Sequence, residues 1–347
     1  MFSVPVLIGS FFSAFILTGV LRHVALRKQI LDIPQQRSAH SQPTPTGGGL
    51  AIVLPVLVVA SVYFGSGALA ANVFLAMLGA LAIALVGLLD DLVQLKVWMR
   101  ISLQFAAAVW SVICLGEVAA INVAGWELSN SWVLSVLAVL ALVWLLNLYN
   151  FMDGIDGIAG SELAFVNAMS LLLVINTEAA SVGLLATALL AAAVGFLCWN
   201  WPPAKIFMGD VGSGFSGFML GLLALLSMQA GVMTVWTWLI LLGVFVTDAT
   251  LTLARRVFSR QRWYEGHSCH AYQHATRKYK SHSKVTITIV VINCVWLAPL
   301  AYLSTREQEL GFFLSLLALT PLALVAYRFQ AGISPFSEPV SNQNSAR

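Results

Sequence analysis

Residues 179–199, AASVGLLATALLAAAVGFLCW, contain no charged side chain and are long enough to cross the hydrocarbon core of a membrane as one helix. The rest of the chain has the same character: 59% of its 347 residues are hydrophobic and 10% are charged, and its mean hydropathy is +0.86. Soluble domains carry roughly 25% charged residues, so the composition excludes an ordinary water-soluble enzyme and a nucleic-acid-binding module. The chain is therefore predicted to be an integral membrane protein.

Apolar runs of this kind predict about eleven transmembrane helices. They lie at residues 2–21, 49–67, 69–89, 98–115, 131–149, 161–176, 179–199, 213–230, 234–254, 285–303 and 310–327. We expect an all-α, polytopic helical bundle in which residues 1–328 form a single integral membrane domain. Residues 329–347 are polar and rich in Pro and Ser, which predicts a disordered cytoplasmic tail.

The 18 Lys and Arg residues are divided very unequally if successive spans alternate in direction. All of them except Arg306 fall on the same side of the membrane, and so do the six histidines. Because Lys and Arg are enriched in cytoplasmic loops, this side is predicted to be cytoplasmic and the N-terminus periplasmic. Any chemistry is then expected on the cytoplasmic face.

A pair of adjacent acids ends the third span, in GLLDDLVQLKVWMR at residues 87–100. Two neighbouring carboxylates repel each other and are costly near hydrocarbon, so Asp90 and Asp91 are functional candidates. The alternative is a solvated end of the span that is neutralised by Lys96.

The stretch NLYNFMDGIDG at residues 147–157 repeats a polar side chain every three residues. In a helix, Asn147, Asn150, Asp153 and Asp156 would share one face. Oxygen ligands of this kind suit Mg²⁺ or a sugar phosphate. The alternative is an Asx-rich turn between two spans.

A third motif, NWPPAKIFMGDVGSG, occupies residues 200–214. A Gly-rich segment that opens a helix offers backbone N–H groups to an anion. Lys205 adds a positive charge and Asp210 a metal ligand, although the motif lacks the Walker pattern. A capped helix start is an equally good interpretation.

The loop at 255–284 is strongly basic and contains histidines at 267, 270 and 274, spaced as on one helical face. Most of its Lys and Arg residues are explained by topology or by contact with anionic lipids. We interpret the histidines as phosphate or pyrophosphate contacts, because no nearby pattern of Cys or carboxylates supports a closed zinc site. Asp248, inside the ninth span, is either a functional group or a structural hydrogen-bonding partner.

One membrane face thus carries five carboxylates, a Gly-rich segment and a basic loop, an inventory suited to phosphoryl transfer with Mg²⁺. The apolar bundle indicates that one substrate is a lipid, so we predict transfer of a phosphorylated headgroup from a cytosolic donor to a membrane lipid. A secondary transporter with carboxylate proton relays is the alternative from another class. Its acids should lie near the membrane midplane on broken helices, whereas here all but Asp248 fall at cytoplasmic ends.

The four motifs together resemble the polyprenyl-phosphate N-acetylhexosamine-1-phosphate transferase family over about residues 30–300. Members load N-acetylglucosamine phosphate or phospho-MurNAc-pentapeptide onto undecaprenyl phosphate. The resemblance implies ten or eleven spans in the bacterial inner membrane, a UDP-N-acetylhexosamine donor, undecaprenyl phosphate as acceptor, and release of UMP. It also implies Mg²⁺, for which Mn²⁺ can substitute, and it is compatible with a homodimer.

Carried over residue by residue, the resemblance makes Asp90, Asp91 and Asp153 catalytic and Asp210, Asp90 and Asp153 metal ligands in a catalytic domain of residues 1–328. Asp156 and Asn200 would lie near the nucleotide. The substrate-binding set implied is Asn147, Asn150, Asp156, Asn200, Lys205, Lys96, His267, His270 and His274.

The histidine loop departs from the pentapeptide branch of the family, which has three consecutive histidines. The spread arrangement here disfavours the pentapeptide donor and is closer to enzymes that initiate O-antigen or other surface polysaccharides. Direct attack by the lipid phosphate is favoured, because its second pKa is near 6 and its oxygen is largely ionised. A two-step route through an aspartyl-phosphate and the identity of the donor sugar remain open at this point.

Overall fold

The structure, a computed structural model, describes residues 3–34, 38–39, 42–261 and 268–334. Within these ranges the chain forms helices and two short β-hairpins. The helices are α1 Val4–Lys28, α2 Leu50–Gly65, α3 Ala71–Val93, α4 Val97–Leu115, α5 Ser131–Met152, α6 Ile158–Val174, α7 Ala180–Asn200, α8 Gly209–Gln229, α9 Val235–Leu241, α10 Gly243–Phe258, α11 Ala271–Tyr279, α12 His282–Ile292, α13 Ala298–Arg306 and α14 Gly311–Arg328. The strands are β1 Leu31–Asp32, β2 Thr44–Pro45, β3 Ile121–Val123 and β4 Trp126–Leu128.

The helices confirm an all-α, multi-pass architecture. Eight segments of the described chain are long and apolar enough to cross a membrane, and the pair α9 and α10, bent by 86°, makes a ninth if it is counted as one broken span. Helices α2 and α6, at 16 and 17 residues, are shorter. Each of the eleven predicted segments contains a helix, but the count of eleven spans and their orientation stay predictions.

Helix α8 is the centre of the bundle. Of its most apolar 18-residue stretch 89% is buried, whereas the corresponding share for α1 is 22%. It packs between α3 and α5. Small residues allow this close approach: a methyl group at Gly217 would come within 2.8 Å of the Leu145 carbonyl oxygen, and one at Gly87 within 2.5 Å of the Asp210 carbonyl oxygen. Close backbone packing at small residues is a common way to associate helices in lipid.

Two loops meet at the end of the bundle where α8 begins. The Phe207 N–H donates to the Pro45 carbonyl oxygen at 2.8 Å, and the Gly48 and Gly49 N–H groups donate to Phe207 and Met208 at 2.9 and 2.8 Å. Gly49 also lies so close to Gly212 that a side chain at either position would collide with the other backbone. The Gly-rich end of the first loop therefore packs against the start of α8.

The segment that follows α14 is held against the bundle as far as the structure describes it. The Arg255 guanidinium donates to the Ala331 carbonyl oxygen at 2.9 Å, and the Gly332 N–H donates to the Cys269 carbonyl oxygen at 2.7 Å. Residues 329–334, which the sequence assigns to the disordered tail, are thus ordered. Residues 335–347 lie outside the described ranges.

Candidate active site at one end of the bundle

Asp91 holds the first turn of α8. Its carboxylate accepts hydrogen bonds from the backbone N–H groups of Asp210 at 3.1 Å and Val211 at 3.4 Å. The first N–H groups of a helix have no partner within the helix and favour a negative charge. The sequence predicts that the backbone N–H groups at the start of α8 bind an anionic ligand. In this structure two of them, those of Asp210 and Val211, donate instead to the carboxylate of Asp91.

Asp90 is paired with Arg100 across the α3–α4 turn. The Arg100 Nη1 lies 2.7 Å from Asp90 Oδ2 and 3.6 Å from Asp210 Oδ2, and the Leu95 N–H donates to Asp90 Oδ1 at 2.7 Å. The alternative interpretation, in which Lys96 neutralises the acidic pair, is therefore wrong. Lys96 is an exposed residue just before the first turn of α4, whereas Arg100 lies one turn further along and points back toward α3 and α8.

Amide side chains of α5 complete the inner wall of the site. Asn150 Nδ2 lies 2.8 Å from Asp210 Oδ1 and 2.9 Å from Ser213 Oγ. Asn147 donates to Gln104 Oε1 of α4 at 2.8 Å. Asn150 therefore orients Asp210 directly, while Asn147 connects α5 to the helix that carries Arg100.

Helix α5 ends before the predicted polar face is complete. It stops at Met152, so Asp153 is its C-cap and Asp156 lies in the turn before α6. The prediction that four Asn and Asp residues share one helical face is therefore wrong beyond Asn150. Burial, followed by the charges of Asp210, Asp91 and Asp156, raises the pKa of Asp153 well above its ordinary value.

Asp156 and Asn200 connect this turn to the loop before α8. Asp156 Oδ2 accepts from the Ala204 N–H at 3.0 Å, and its Oδ1 lies 3.1 Å from His282 Nδ1. Asn200 is 3% exposed; it accepts from the Gly157 N–H at 3.0 Å and donates to the Ile206 carbonyl oxygen at 2.9 Å. Both residues position backbone here, and their contact with a nucleotide stays a prediction.

Lys205 and His282 are two further basic residues close to the turn that holds Asp156. Lys205 is exposed, with its Nζ 5.6 Å from the centre of the Trp199 ring. His282, which the sequence analysis did not single out, also contacts the first loop, since its Nε2 lies 3.2 Å from the Ala39 carbonyl oxygen. It thereby joins three loops that are distant in the sequence.

His270 and His274 of the basic loop do not share a helical face. His267 lies outside the described residues, and α11 begins one residue after His270, whose backbone is extended. His270 is 2% exposed, and its Nδ1 lies 3.4 Å from Asp248 Oδ1. His274 contacts the Ile333 carbonyl oxygen at 3.0 Å through Nε2. Phosphate contact by these histidines stays a prediction.

Asp248 has the structural role that the sequence left as one of two alternatives. Its carboxylate accepts from the N–H groups of Ala271 at 2.8 Å and Tyr272 at 2.9 Å, and from the Thr252 hydroxyl at 3.1 Å. It therefore caps α11 from within α10. The Tyr272 hydroxyl in turn donates to the Phe151 carbonyl oxygen at 2.9 Å, which fixes α11 beneath the 150–157 turn.

The donor set fits a hard divalent cation. Among the described residues no three His, Cys, Asp or Glu side chains form a ready-made metal cage, but Mg²⁺ commonly keeps several waters and uses one or two carboxylates. Asp153 has no hydrogen bond to its carboxylate within the described residues, and the charge of Asp210 is among the causes that raise its pKa. A small cavity of about 20 Å³ beside Asp210 and Asn150 has room for one water.

Sequence reasoning missed Arg100, Gln104 and His282. Arg100 offered a signal, because it is the next basic residue after Lys96 and lies one helical turn into α4. Gln104 is a polar residue four positions further along the same apolar helix, which places it on the same face. For His282 no spacing pattern points to Asp156, 126 residues earlier.

Comparison with known proteins finds a matching family model and several similar proteins. The model of the family described as glycosyl transferase family 4 matches residues 73–228, which include Asp90, Asp91, Asp153 and Asp210. A probable undecaprenyl-phosphate N-acetylglucosaminyl 1-phosphate transferase of Bacillus subtilis is 26% identical over 340 residues, covering 92% of this chain and 90% of that protein.

Two further relatives cover different shares of the chain. An undecaprenyl-phosphate alpha-N-acetylglucosaminyl 1-phosphate transferase of Thermotoga maritima is 26% identical over 279 residues, 77% of this chain and 81% of that protein. A phospho-N-acetylmuramoyl-pentapeptide-transferase of Saccharopolyspora erythraea is 47% identical over 79 residues, 23% of this chain and 21% of that protein. The apolar helices and these relatives together indicate a multi-pass membrane transferase. The match to the model of glycosyl transferase family 4 and the similarity to these relatives confirm the resemblance seen in the motifs.

Proposed function

We propose that this protein transfers an N-acetylhexosamine 1-phosphate from a UDP-sugar to undecaprenyl phosphate. The products are an undecaprenyl-diphosphate-sugar and UMP. The observation that carries the proposal is the convergence of Asp90, Asp91, Asp153 and Asp210 around Arg100 and Asn150 at the end of an apolar bundle. A lipid phosphate and a water-soluble sugar nucleotide can meet only where the bundle ends.

In the proposed reaction an oxygen of the lipid phosphate attacks the phosphorus that bears the sugar. A new P–O bond forms, and the bond to UMP breaks with its electron pair leaving on UMP. A bound Mg²⁺ would neutralise charge on the two phosphates, and Asp210 and Asp153 are the residues best placed to hold it. Arg100 and Lys205 add fixed positive charge to the same end of the bundle.

The carboxylates take different parts in this proposal. Asp90 is committed to Arg100 and the Leu95 N–H, and Asp91 to the start of α8, so both mainly position other groups. Asp153 has no hydrogen bond to its carboxylate within the described residues. We therefore propose that Asp153 accepts the proton when the lipid phosphate is not yet fully ionised. Since the lipid oxygen is largely ionised near neutral pH, direct attack needs no covalent intermediate.

We further propose that the product initiates an O-antigen or a related surface polysaccharide, at the cytoplasmic face of a bacterial inner membrane. The names of the two relatives that cover most of this chain support an N-acetylglucosamine-type donor. The pentapeptide transferase of Saccharopolyspora erythraea matches only 23% of this chain. The spread histidines also disfavour that donor.

The decisive experiment identifies the nucleotide product. Purified protein is given undecaprenyl phosphate, Mg²⁺ and, one at a time, several UDP-N-acetylhexosamines and UDP-MurNAc-pentapeptide. We expect UMP, a lipid carrying a diphosphate, and reversal when UMP is added. Release of UDP would indicate an ordinary lipid glycosyltransferase, and no lipid product with any donor would overturn the assignment. The donor with the highest rate would identify the sugar.

A further inference from the structure

A large cavity lies apart from the carboxylates, between α10, α11, α12 and α14. It has a volume of about 570 Å³ and an almost entirely apolar lining. Lys284 and Ile292 both line the cavity and lie eight residues apart on α12. The cavity therefore extends for about 12 Å along the axis of this helix. Such a groove has the shape and lining of a site for a hydrocarbon chain.

Two lysines, Lys278 and Lys284, lie at one end of the groove. Lys284 belongs to the lining itself. Lys278 Nζ lies 5.5 Å from the centre of the Phe329 ring and 5.7 Å from that of Tyr279, and both rings line the groove. No acid neutralises these two lysines among the described residues, so the end of the groove is positively charged.

A wall separates the groove from the carboxylates of the candidate active site. Asp248 and Tyr272 form part of the lining. The Asp248 carboxylate is used by the N–H groups of Ala271 and Tyr272, and the Tyr272 hydroxyl is bonded to the Phe151 carbonyl oxygen on the far side. A headgroup at Lys284 is therefore not in the same compartment as Asp210.

We propose that this groove binds one chain of an anionic phospholipid, with the lipid phosphate between Lys278 and Lys284. The apolar lining takes the chain, the two lysines select a negative headgroup, and the Tyr272 wall keeps this lipid distinct from the reacting acceptor. Each basic side chain near an anionic lipid surface contributes to binding, and the effect weakens with added salt. The site goes beyond the proposed reaction and does not depend on it.

Native mass spectrometry of the delipidated protein with added phosphatidylglycerol or phosphatidylcholine of equal chain length tests the headgroup selection. We expect one phosphatidylglycerol per chain, retained at least about tenfold better than phosphatidylcholine. The double change Lys278→Gln and Lys284→Gln should weaken retention by on the order of thirtyfold. Lys280→Gln, the same charge change on the neighbouring exposed residue, is the control and should have little effect.

A second pair of variants tests the groove. Ala275→Phe places a ring in the cavity and should reduce retention of phosphatidylglycerol, whereas Ala141→Phe, on an exposed position of α5, should not. Equal binding of both phospholipids, equal loss in the Lys280 control, or full retention in Ala275→Phe would overturn the proposal. So would displacement of phosphatidylglycerol by equimolar undecaprenyl phosphate, because the groove would then belong to the acceptor.

Discussion

The carboxylate of Asp91 accepts the backbone N–H of Asp210 at 3.1 Å, across a separation of 119 residues. The end of α3 therefore fixes where α8 begins, and α8 carries Asp210, the proposed metal ligand. Because Asp90, the neighbour of Asp91, binds Arg100 at 2.7 Å, the acidic pair organises two helices at once.

This contact predicts a difference between two substitutions of Asp91. Asp91→Ala removes the acceptor for two N–H groups at the start of α8, which typically lowers the free energy of unfolding by about 0.5–2 kcal/mol. Asp91→Asn keeps one acceptor oxygen and should lose less. Denaturation of the purified variants in detergent measures both. An alanine variant as stable as the wild type would show that the cap contributes nothing.

Asp210→Asn is expected to reduce turnover by at least about a hundredfold, because a neutral amide is a much poorer ligand for Mg²⁺. The amide oxygen can still accept from Asn150, so the melting temperature should stay close to that of the wild type. Glu127→Gln, an acid-to-amide change on exposed β4, is the matched control. Near-normal UMP release with unchanged Mg²⁺ dependence would exclude Asp210 as a ligand.

Arg100 and Lys96 provide a matched pair of basic residues. Arg100→Gln leaves Asp90 without its cation and should lower the free energy of unfolding by about 1–2 kcal/mol and the rate of UMP release at least about tenfold. Lys96→Gln removes an equal charge from an exposed residue and should leave the free energy of unfolding nearly unchanged. Equal effects from the two variants would contradict a specific role for the Arg100–Asp90 pair.

Asp248→Ala should destabilise the protein strongly. It leaves the N–H groups of Ala271 and Tyr272 buried without an acceptor, at a cost of roughly 3 kcal/mol or more. Asp248→Asn keeps one acceptor and is expected to be milder. Proteolysis of the basic loop, followed with time, reports on the release of α11. If Asp248→Asn instead abolished turnover in a fully stable protein, Asp248 would have a direct chemical role.

The orientation can be tested by labelling single cysteines in a cysteine-free background. Lys280→Cys, just after α11, and Glu127→Cys, in β4, are both at exposed positions. We expect an impermeant thiol reagent to reach residue 127 in cells with a permeabilised outer membrane and residue 280 only after the inner membrane is opened. Labelling of both from one side would contradict the predicted alternation.

The sequence alone determined where the long apolar helices lie and which helix ends carry acids. A run such as 179–199 has no partner for its backbone groups in lipid other than its own helix, so its composition suffices to predict α7. The same holds for the carboxylates: Asp90, Asp91, Asp153 and Asp210 all follow or precede long apolar runs, so their common location at helix ends is visible without coordinates.

Tertiary structure alone decided what each polar side chain contacts. Asp91 caps a helix 119 residues away, and His282 pairs with an aspartate in the turn before α6; no local pattern encodes either partner. Packing decides which way each helix faces. It therefore decides that Arg100 and not Lys96 pairs with Asp90, and that the Asp248 carboxylate caps α11. Hydrogen bonds of this kind act over about 3 Å, so they are set by the packing of α3, α5, α8 and α10, which hydrophobic periodicity does not specify.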